Sequence, residues 1–265
     1  MTDDTTARGP RRRSPPRRVE VSRVQSLSPA MRRVTFRGAD LAGFGPPSPA
    51  GYIKLVFPEP GQAEAVAPTP DGPKPASMRT YTPRRYDSAA LELDVDFVLH
   101  GEGPASNWVE QAAPGQALFM MGPGPGYAFD AAAPLHWLIG DDSALPAIET
   151  ILEALPEGSR AEVFAEVVDA GEERDLASRV PVQVHWLPRG ADKQLAGSAL
   201  EAALRAGAAP TAGTRVYIAC EAMAMRRIRR LLIDELGVPK SQIIGRGYWK
   251  LGAINHPDHD YGEEE

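Results

Sequence analysis

An arginine, a tyrosine and two threonines stand together in the segment Arg79-Thr80-Tyr81-Thr82. In an extended strand alternate side chains share a face, so Arg79 and Tyr81 would point to one side of the strand. A guanidinium beside an aromatic ring suits a ligand that carries both a phosphate and a flat ring system. Taken alone, the segment also fits an edge strand with an exposed arginine, so its role depends on the rest of the chain.

A second group of polar and small residues follows a strand-like run: His100-Gly101, then Gly103-Pro104-Ala105-Ser106. Glycines let main-chain amides approach a ligand, and a helix that begins here would present free N–H groups. The pattern is that of a pyrophosphate cradle, to which the Ser106 hydroxyl would add a donor. An ordinary strand-to-helix turn explains the same residues equally well, and His100 alone is more often structural.

Two loops in the second half each follow a strand-like run and carry acidic side chains: Gly140-Asp141-Asp142-Ser143-Ala144 and Cys220-Glu221. The first loop is not a G-x-G-x-x-G fingerprint, and its carboxylates would repel a pyrophosphate. Ribose hydroxyls or an amide are therefore the ligands we expect there. The second loop ends a strand at the edge where parallel sheets bind ligands, although a lone thiol also fits a small buried apolar residue.

Two aromatic rings with cations on either side lie near the C-terminus, in the segment Arg246-Gly247-Tyr248-Trp249-Lys250. Such a segment can cover a flat cofactor or attract an anion, and it can equally be an exposed amphipathic strand. Histidines and aspartates at 256–260 have metal-ligating side chains. They belong to a short acidic tail without a scaffold, so we predict no metal site.

The composition is that of a soluble globular protein with room for two domains. The chain has 265 residues, of which 43% are hydrophobic and 24% charged, and its net charge of -6 argues against a nucleic-acid partner. Cys220 is the single cysteine, which excludes an internal disulfide and fits a reducing cytoplasm. No run of 18 apolar residues exists, so we expect no membrane span.

The first half of the chain carries the signals of short antiparallel strands. Residues 1–18 are basic and rich in proline, and we predict a disordered tail rather than an export signal. Alternating apolar residues then predict strands at 19–26, 31–37, 52–57, 79–83, 91–100 and 117–121, with a short helix at 105–112. Six strands with turns between them predict an antiparallel Greek-key β-barrel over 19–131.

The second half alternates between strand and helix patterns. An unbroken apolar run at 135–139 is typical of a strand covered on both faces. Further strands are predicted at 161–167, 182–187 and 215–220, and helices at 144–155, 195–206 and 222–236. This alternation predicts an α/β domain with a parallel sheet over 132–254, followed by an acidic tail at 255–265. The predicted fold class is therefore α+β with two domains.

Taken together, five segments resemble the siderophore-interacting protein family, flavin-dependent ferric-siderophore reductases of the ferredoxin-reductase superfamily. The resemblance extends over residues 19–252 and is carried by five segments in a fixed order. They are RTYT at 79–82, VDFVLHG at 95–101, GPASNW at 103–108, GDDSALPAI at 140–148 and GYW at 247–249. The family implies an FAD-binding barrel followed by a domain for NADH or NADPH.

The resemblance also implies roles for individual residues. Arg79 would pair with the FAD phosphates, Tyr81 would pack on the flavin, and Thr82 would be the catalytic residue beside flavin N5. The other implied FAD contacts are Thr80, Asp96, Val98, His100, Gly101, Gly103, Pro104, Ala105, Ser106 and Trp249. The nicotinamide nucleotide would lie against Gly140, Asp141, Ser143, Ala144, Cys220 and Glu221.

Two departures from the family pattern concern the substrate and the nucleotide. Cys220 stands where the family more often has glycine, and the Gly-Pro-Gly-Pro-Gly turn at 122–126 lacks an arginine that is often found there. Lys54, Arg246 and Lys250 are the remaining candidate contacts for an anionic siderophore.

The reaction implied is hydride transfer from NAD(P)H to FAD, followed by single-electron steps to siderophore-bound Fe(III), in a protein we expect to be monomeric. Asp169, Glu172 and Glu173 favour a ribose diol and hence NADH, whereas Arg174 and Arg189 would favour NADPH. Two alternatives stay open. One is a flavoprotein whose electron acceptor is a protein, and the other is a siderophore-binding module without flavin or catalysis.

Overall fold

The computed structural model describes residues 15–253, apart from Pro60, Pro70, Asp71, Gly101, Glu102, Phe129, Ala131, Ala191, Lys193 and Gln194. The predicted acidic tail with His256 and His259, and most of the predicted basic tail, lie outside the described residues. The chain forms a seven-stranded antiparallel sheet followed by a five-stranded parallel sheet with helices, so the predicted two-domain α+β architecture is confirmed. None of the described helices is long and apolar enough to cross a membrane.

The antiparallel sheet is built from the first half of the chain. Its strands are β1 Arg17–Ser28, β2 Met31–Arg37, β3 Tyr52–Val56, β4 Met78–Tyr81, β5 Pro83–Asp87, β6 Glu92–Val98 and β7 Ala117–Gly124, with helix α1 Pro104–Glu110 between the last two. The strand order is β4-β3-β7-β1-β2-β6-β5. Apolar side chains at alternate positions, such as Val34 and Phe36 on β2, are fully buried in its core.

Thr82 lies where the two edges of this sheet come together. Strands β4 and β5 form opposite edges of the sheet, yet Thr82 alone separates them along the chain. The sheet must therefore curl until its edges meet, and β4 also packs against β6. The prediction of one strand over 79–83 was wrong, because Pro83 begins a separate edge strand, a position that tolerates a missing N–H.

The parallel sheet follows in the second half. Its strands are β8 Leu135–Asp141, β9 Arg160–Val167, β10 Val182–Pro188, β11 Arg215–Glu221 and β12 Ile243–Trp249, in the order β10-β9-β8-β11-β12. The helices are α2 Leu145–Ala154, α3 Ser198–Ala206 and α4 Ala222–Asp234. Every residue of β8 is buried, as its unbroken apolar run predicts. Helix α3 begins later than predicted, because Gly197 before it has a left-handed φ of 82°.

Apolar and polar contacts both join the two sheets. Met31 of β2 and Tyr127 belong to the same hydrophobic cluster as Leu138 of β8 and the buried face of α2. The Glu172 carboxylate accepts hydrogen bonds from the Ser28 hydroxyl and, at 2.8 Å, from the Ala30 amide. These contacts hold the barrel against the carboxyl ends of the parallel strands.

A charged cluster lies at the same junction on helix α2. The Arg84 side chain is 10% exposed and lies 2.8 Å from the Glu149 carboxylate and 2.6 Å from that of Glu153. Arg174, from the parallel domain, approaches Glu149 to 2.7 Å. One buried carboxylate is therefore shared by arginines from both domains.

Candidate functional site

Three strand ends of the parallel sheet meet beside Thr82. Asp141 ends β8, and its carboxylate accepts hydrogen bonds from the Glu221 amide at the end of β11 and from the Trp249 indole at the end of β12. The Tyr248 side chain, next to Trp249, lies beside the Thr82 side chain at the closure of the barrel. Residues from segments that are far apart in the sequence thus converge at the edge where parallel sheets bind ligands.

The Asp141 carboxylate is saturated by donors from the protein itself. It is 3% exposed and accepts from the Ser143 amide at 3.0 Å, the Ser143 hydroxyl at 2.5 Å, the Glu221 amide at 3.0 Å and the Trp249 Nε1 at 2.7 Å. Burial raises the pKa of Asp141, and these hydrogen bonds oppose the rise. A carboxylate has about four acceptor positions, so this side chain holds the strand ends together and has no capacity left for a nucleotide.

The other residues predicted to contact the nucleotide also have structural partners. A Cβ on Gly140 would lie 2.5 Å from the Ala144 Cβ, so glycine is needed there for close strand-to-helix packing. The Cys220 thiol is 1% exposed within the hydrophobic cluster beneath α4, and burial raises its pKa well above the usual range. The Glu221 carboxylate accepts from the Ala224 amide at 2.8 Å and caps α4. Contacts to a nucleotide stay a prediction, best made by the main chain and by half-buried Ser143.

Arg79 and Tyr81 occupy the wall of the barrel below Thr82. The half-buried Arg79 guanidinium donates to the Ala76 and Met78 carbonyls, and within the described residues it forms no ion pair. Burial lowers the pKa of Arg79, an effect that Tyr81 and Glu59 oppose. The Tyr81 ring packs 4.4 Å from that of Phe97. An arginine in this setting has capacity for an external anion.

The remaining residues predicted to contact FAD fall into two groups. Ser106 lies in α1 and accepts a hydrogen bond from the His100 amide at 3.2 Å, while Gly103 before the helix has a φ of 92° that favours glycine. Asp96 has a different environment, because both of its oxygens accept from Arg33, at 2.7 and 2.8 Å, and its side chain has no exposed surface. The Asp96 carboxylate therefore has a structural role in the barrel.

The other residues predicted to contact FAD are uncharged. Ala105 is buried in the core of the barrel, and Val98 packs against the hydrophobic cluster of the parallel domain. Thr80 is exposed and Pro104 opens α1, while Gly101 lies outside the described residues. None of these placements brings a further charged group to the site.

The three cations predicted to attract the substrate lie on two strands and one loop. Lys54 is on β3, opposite Thr80 of β4 and 6.0 Å from the centre of the Tyr52 ring. Arg246 lies on β12 two residues before Tyr248, so both side chains share one face of the strand. Lys250 follows β12 and is exposed. Arg246 and Lys250 therefore flank the two aromatic residues that reach the site.

Sequence reasoning missed a buried charge network behind the loop at 140–144. Arg189 lies 3.1 Å from the Asp142 carboxylate and 3.4 Å from that of Glu166, and Glu166 also accepts from the Gly197 amide at 2.8 Å. Burial, together with the charge of Asp141, raises the pKa of Asp142 to about 7, against the pull of Arg189. These residues are distant in sequence, so no local motif reveals their pairing.

Replacing Asp142 by asparagine is expected to change how stability depends on pH. The folded protein holds the Asp142 proton up to about pH 7, whereas the unfolded chain loses it near 3.8, so this contribution to stability is present at low pH and is lost as the pH rises through about 7. Asparagine does not titrate, so Asp142→Asn does not lose this contribution. The free energy of unfolding of the variant should therefore rise relative to that of the wild type as the pH increases from about 5 to about 8. Urea unfolding at both pH values measures this, and parallel pH profiles for the two proteins would contradict it.

Comparisons with known proteins agree with this two-domain fold. Residues 20–127 match the family model of the siderophore-interacting FAD-binding domain, and residues 133–252 match that of the siderophore-interacting protein. Ferric vibriobactin reductase ViuB of Vibrio cholerae is 32% identical over 92% of this chain and 93% of its own length. The NADPH-dependent ferric-chelate reductase of Escherichia coli is 30% identical over 88% of this chain and 92% of its own.

A solved structure extends the likeness to three dimensions. A siderophore utilization protein from T. fusca superposes with a TM-score of 0.83 at 33% identity, covering 94% of this chain and 99% of that one. The two family models together span most of the chain. This protein belongs to the siderophore-interacting protein family.

Proposed function

We propose that this protein is an FAD-dependent ferric-siderophore reductase that takes electrons from a nicotinamide nucleotide and passes them singly to Fe(III). The observation that carries the proposal is the position of Thr82, which lies at the barrel closure and beside Tyr248 on a strand of the parallel sheet. A ligand in the barrel and a ligand at the strand ends would therefore meet at one place. The reductase names of the Vibrio and Escherichia relatives support the same activity.

The donor set of the barrel fits FAD. Arg79 would pair with the phosphates, since the described residues offer its guanidinium no carboxylate within ion-pairing distance. Tyr81 and Trp249 would pack against flat rings, and Gly103 to Ser106 would lie along the adenosine diphosphate part. Bound FAD would supply the step from a two-electron donor to a one-electron acceptor. Thr82 would place its hydroxyl at the hydride-accepting edge.

Ferric siderophore is the proposed small-molecule substrate, and Lys54, Arg246 and Lys250 are its proposed contacts. Fe(II) binds hard oxygen donors more weakly than Fe(III), so reduction would release the metal from the complex. Electron transfer to the iron requires approach of the complex rather than a bond to the protein. A positive surface beside the flavin edge would raise the local concentration of an anionic complex.

NADH is the proposed electron donor. The two arginines that could bind a 2′-phosphate already pair with carboxylates, Arg174 with Glu149 and Arg189 with Asp142 and Glu166. Removing either arginine from its partner would leave a buried charge unpaired, which is costly. The name of the Escherichia relative, an NADPH-dependent reductase, points to the other nucleotide, so the two donors must be compared directly.

Steady-state kinetics of the FAD-loaded protein test the proposed function. We expect bound-flavin absorption bands, reduction of ferric catecholate or hydroxamate complexes, a higher kcat/KM with NADH than with NADPH, and a rate that falls with salt for anionic complexes. The FAD-free protein is the matched control and should be inactive. A protein that binds no flavin would support the non-catalytic alternative, and a flavoprotein that reduces only a protein acceptor would overturn the siderophore substrate.

A further inference from the structure

Arg84 joins the start of strand β5 to helix α2 of the other domain. Its Nε donates to the Glu149 carboxylate at 2.8 Å, and its two terminal nitrogens donate to the Glu153 carboxylate at 2.9 and 2.6 Å. Glu149 and Glu153 are four residues apart, so they lie on the same face of α2. All three guanidinium nitrogens are therefore bonded to two successive turns of one helix, which fixes Arg84 along the helix axis.

A second contact fixes the same helix against the barrel. The Thr150 hydroxyl, next to Glu149, accepts a hydrogen bond from the Ala50 amide at 2.8 Å. Ala50 lies shortly before β3, so two separate parts of the barrel contact α2. Burial alone would lower the pKa of Arg84, but the hydrogen bonds and charges of the two carboxylates raise it, so the guanidinium keeps its charge. The contact between the domains is thus both directional and charged.

The two ends of this contact lie close to the two halves of the proposed site. On the barrel side, Arg84 is two residues after Thr82, where the barrel closes. On the other side, α2 begins at Leu145, immediately after the loop at 140–144 that carries Asp141. The Arg84 contact therefore sets where the barrel closure lies relative to the carboxyl ends of the parallel strands.

We propose that Arg84 is a positioning residue that sets the distance between the flavin edge at Thr82 and the nicotinamide at the strand ends. This inference rests on the proposed function, because it requires both ligands. Hydride transfer needs reacting atoms about 3–3.5 Å apart, and a misplacement of about 1 Å can slow a reaction about 100-fold. A guanidinium that binds two carboxylates has one geometry, whereas the ammonium of a lysine is a point charge without this fork.

Stopped-flow reduction of the FAD-loaded protein by NADH tests the positioning role. The limiting rate constant should fall about 100-fold in Arg84→Ala and about tenfold in Arg84→Lys, while the dissociation constants of FAD and NADH stay within about threefold. The long-wavelength charge-transfer absorbance, which requires the two rings to stack, should weaken in the same order. Ile228→Ala is the control, because Ile228 is buried in a hydrophobic cluster whose members all belong to the parallel domain. It should lower stability and leave the limiting rate constant and the absorbance unchanged.

A second measurement needs no bound ligand. Cysteines that replace Ala90 in the barrel and Ala202 on α3, both exposed, would carry spin labels, while the native Cys220 is 1% exposed and should stay unlabelled. In the FAD-free protein with an intact Arg84, the distance between the two labels should have one narrow distribution. The distribution should broaden or shift when Arg84→Ala is added, and it should stay the same when Ile228→Ala is added.

The outcomes separate this inference from the proposed function. If Arg84→Ala matches Ile228→Ala in limiting rate constant and charge-transfer absorbance, the positioning role is overturned and the proposed function stays intact. A label distance that Arg84→Ala does not change would overturn the positioning role as well. A wild type whose flavin is reduced by neither nicotinamide nucleotide would refute the proposed function itself. Should Arg84→Ala fail to fold, Arg84→Lys carries the test, and a wild-type rate constant in that variant would overturn the inference.

Discussion

Replacing Arg79 by alanine is expected to weaken FAD binding by about 100-fold, because two charge-assisted hydrogen bonds to phosphate are each worth about 1.5 kcal/mol or more. In the structure the guanidinium is half-buried, and its hydrogen bonds go to two main-chain carbonyls. A pairing phosphate would supply the ion pair that no described residue makes with this guanidinium. Quenching of flavin fluorescence during titration of the FAD-free protein measures the dissociation constant.

Two further variants separate the charge of Arg79 from its geometry. Arg79→Lys keeps the charge and loses the two-pronged geometry, so its affinity should lie between that of the wild type and that of alanine. Arg85→Ala is the matched control, since Arg85 is an exposed arginine on β5, the next strand along the chain. If Arg79→Ala binds FAD as tightly as Arg85→Ala does, Arg79 does not contribute to FAD binding.

Replacing Glu149 by glutamine is expected to lower the free energy of unfolding by about 3 kcal/mol, the usual cost of leaving a buried charge without its partner. The Glu149 side chain is 8% exposed and is paired with Arg84 and Arg174 at 2.8 and 2.7 Å. Its neutralisation would leave Arg174 without a carboxylate within the described contacts. Urea unfolding of the FAD-free protein measures the loss.

The neighbouring residue Glu153 provides the control for this effect. Its side chain is 40% exposed and also pairs with Arg84, at 2.6 Å. Water screens an exposed pair, so Glu153→Gln should cost less than about 1 kcal/mol. Equal decreases in the free energy of unfolding for Glu149→Gln and Glu153→Gln would show that burial does not determine how much each ion pair contributes to stability.

Local patterns in the sequence predict most of this fold. Alternation gives the barrel strands, and the unbroken run at 135–139 gives a central strand that is buried throughout. The strand β5 and the closure at Thr82 were missed, because one proline decides where an edge strand restarts. Strand β12 was predicted only as one of two alternatives, since its two glycines weaken the strand pattern.

The sequence predicted which residues lie at the site, but not which partners their side chains have. Arg79, Thr82, Asp141 and Trp249 were singled out by residue type and position, and the structure brings the last three into one connected set. The sequence does not show that Asp141 is saturated, since its bond to Trp249 joins residues 108 positions apart. Nor does it show that Tyr217 and Tyr248 pair, whereas a buried apolar environment for Cys220 was one of the two alternatives for that residue.

Single-turnover mixing tests the central claim most directly. The FAD-loaded protein is first reduced with NADH in the absence of oxygen and is then mixed with a ferric siderophore and a chromogenic Fe(II) chelator. The account predicts that the flavin absorbance bleaches in the first step and returns in the second, with about two Fe(II) released per flavin, since each iron accepts one electron. A flavin that stays reduced after the siderophore is added, with no Fe(II) formed, would contradict it.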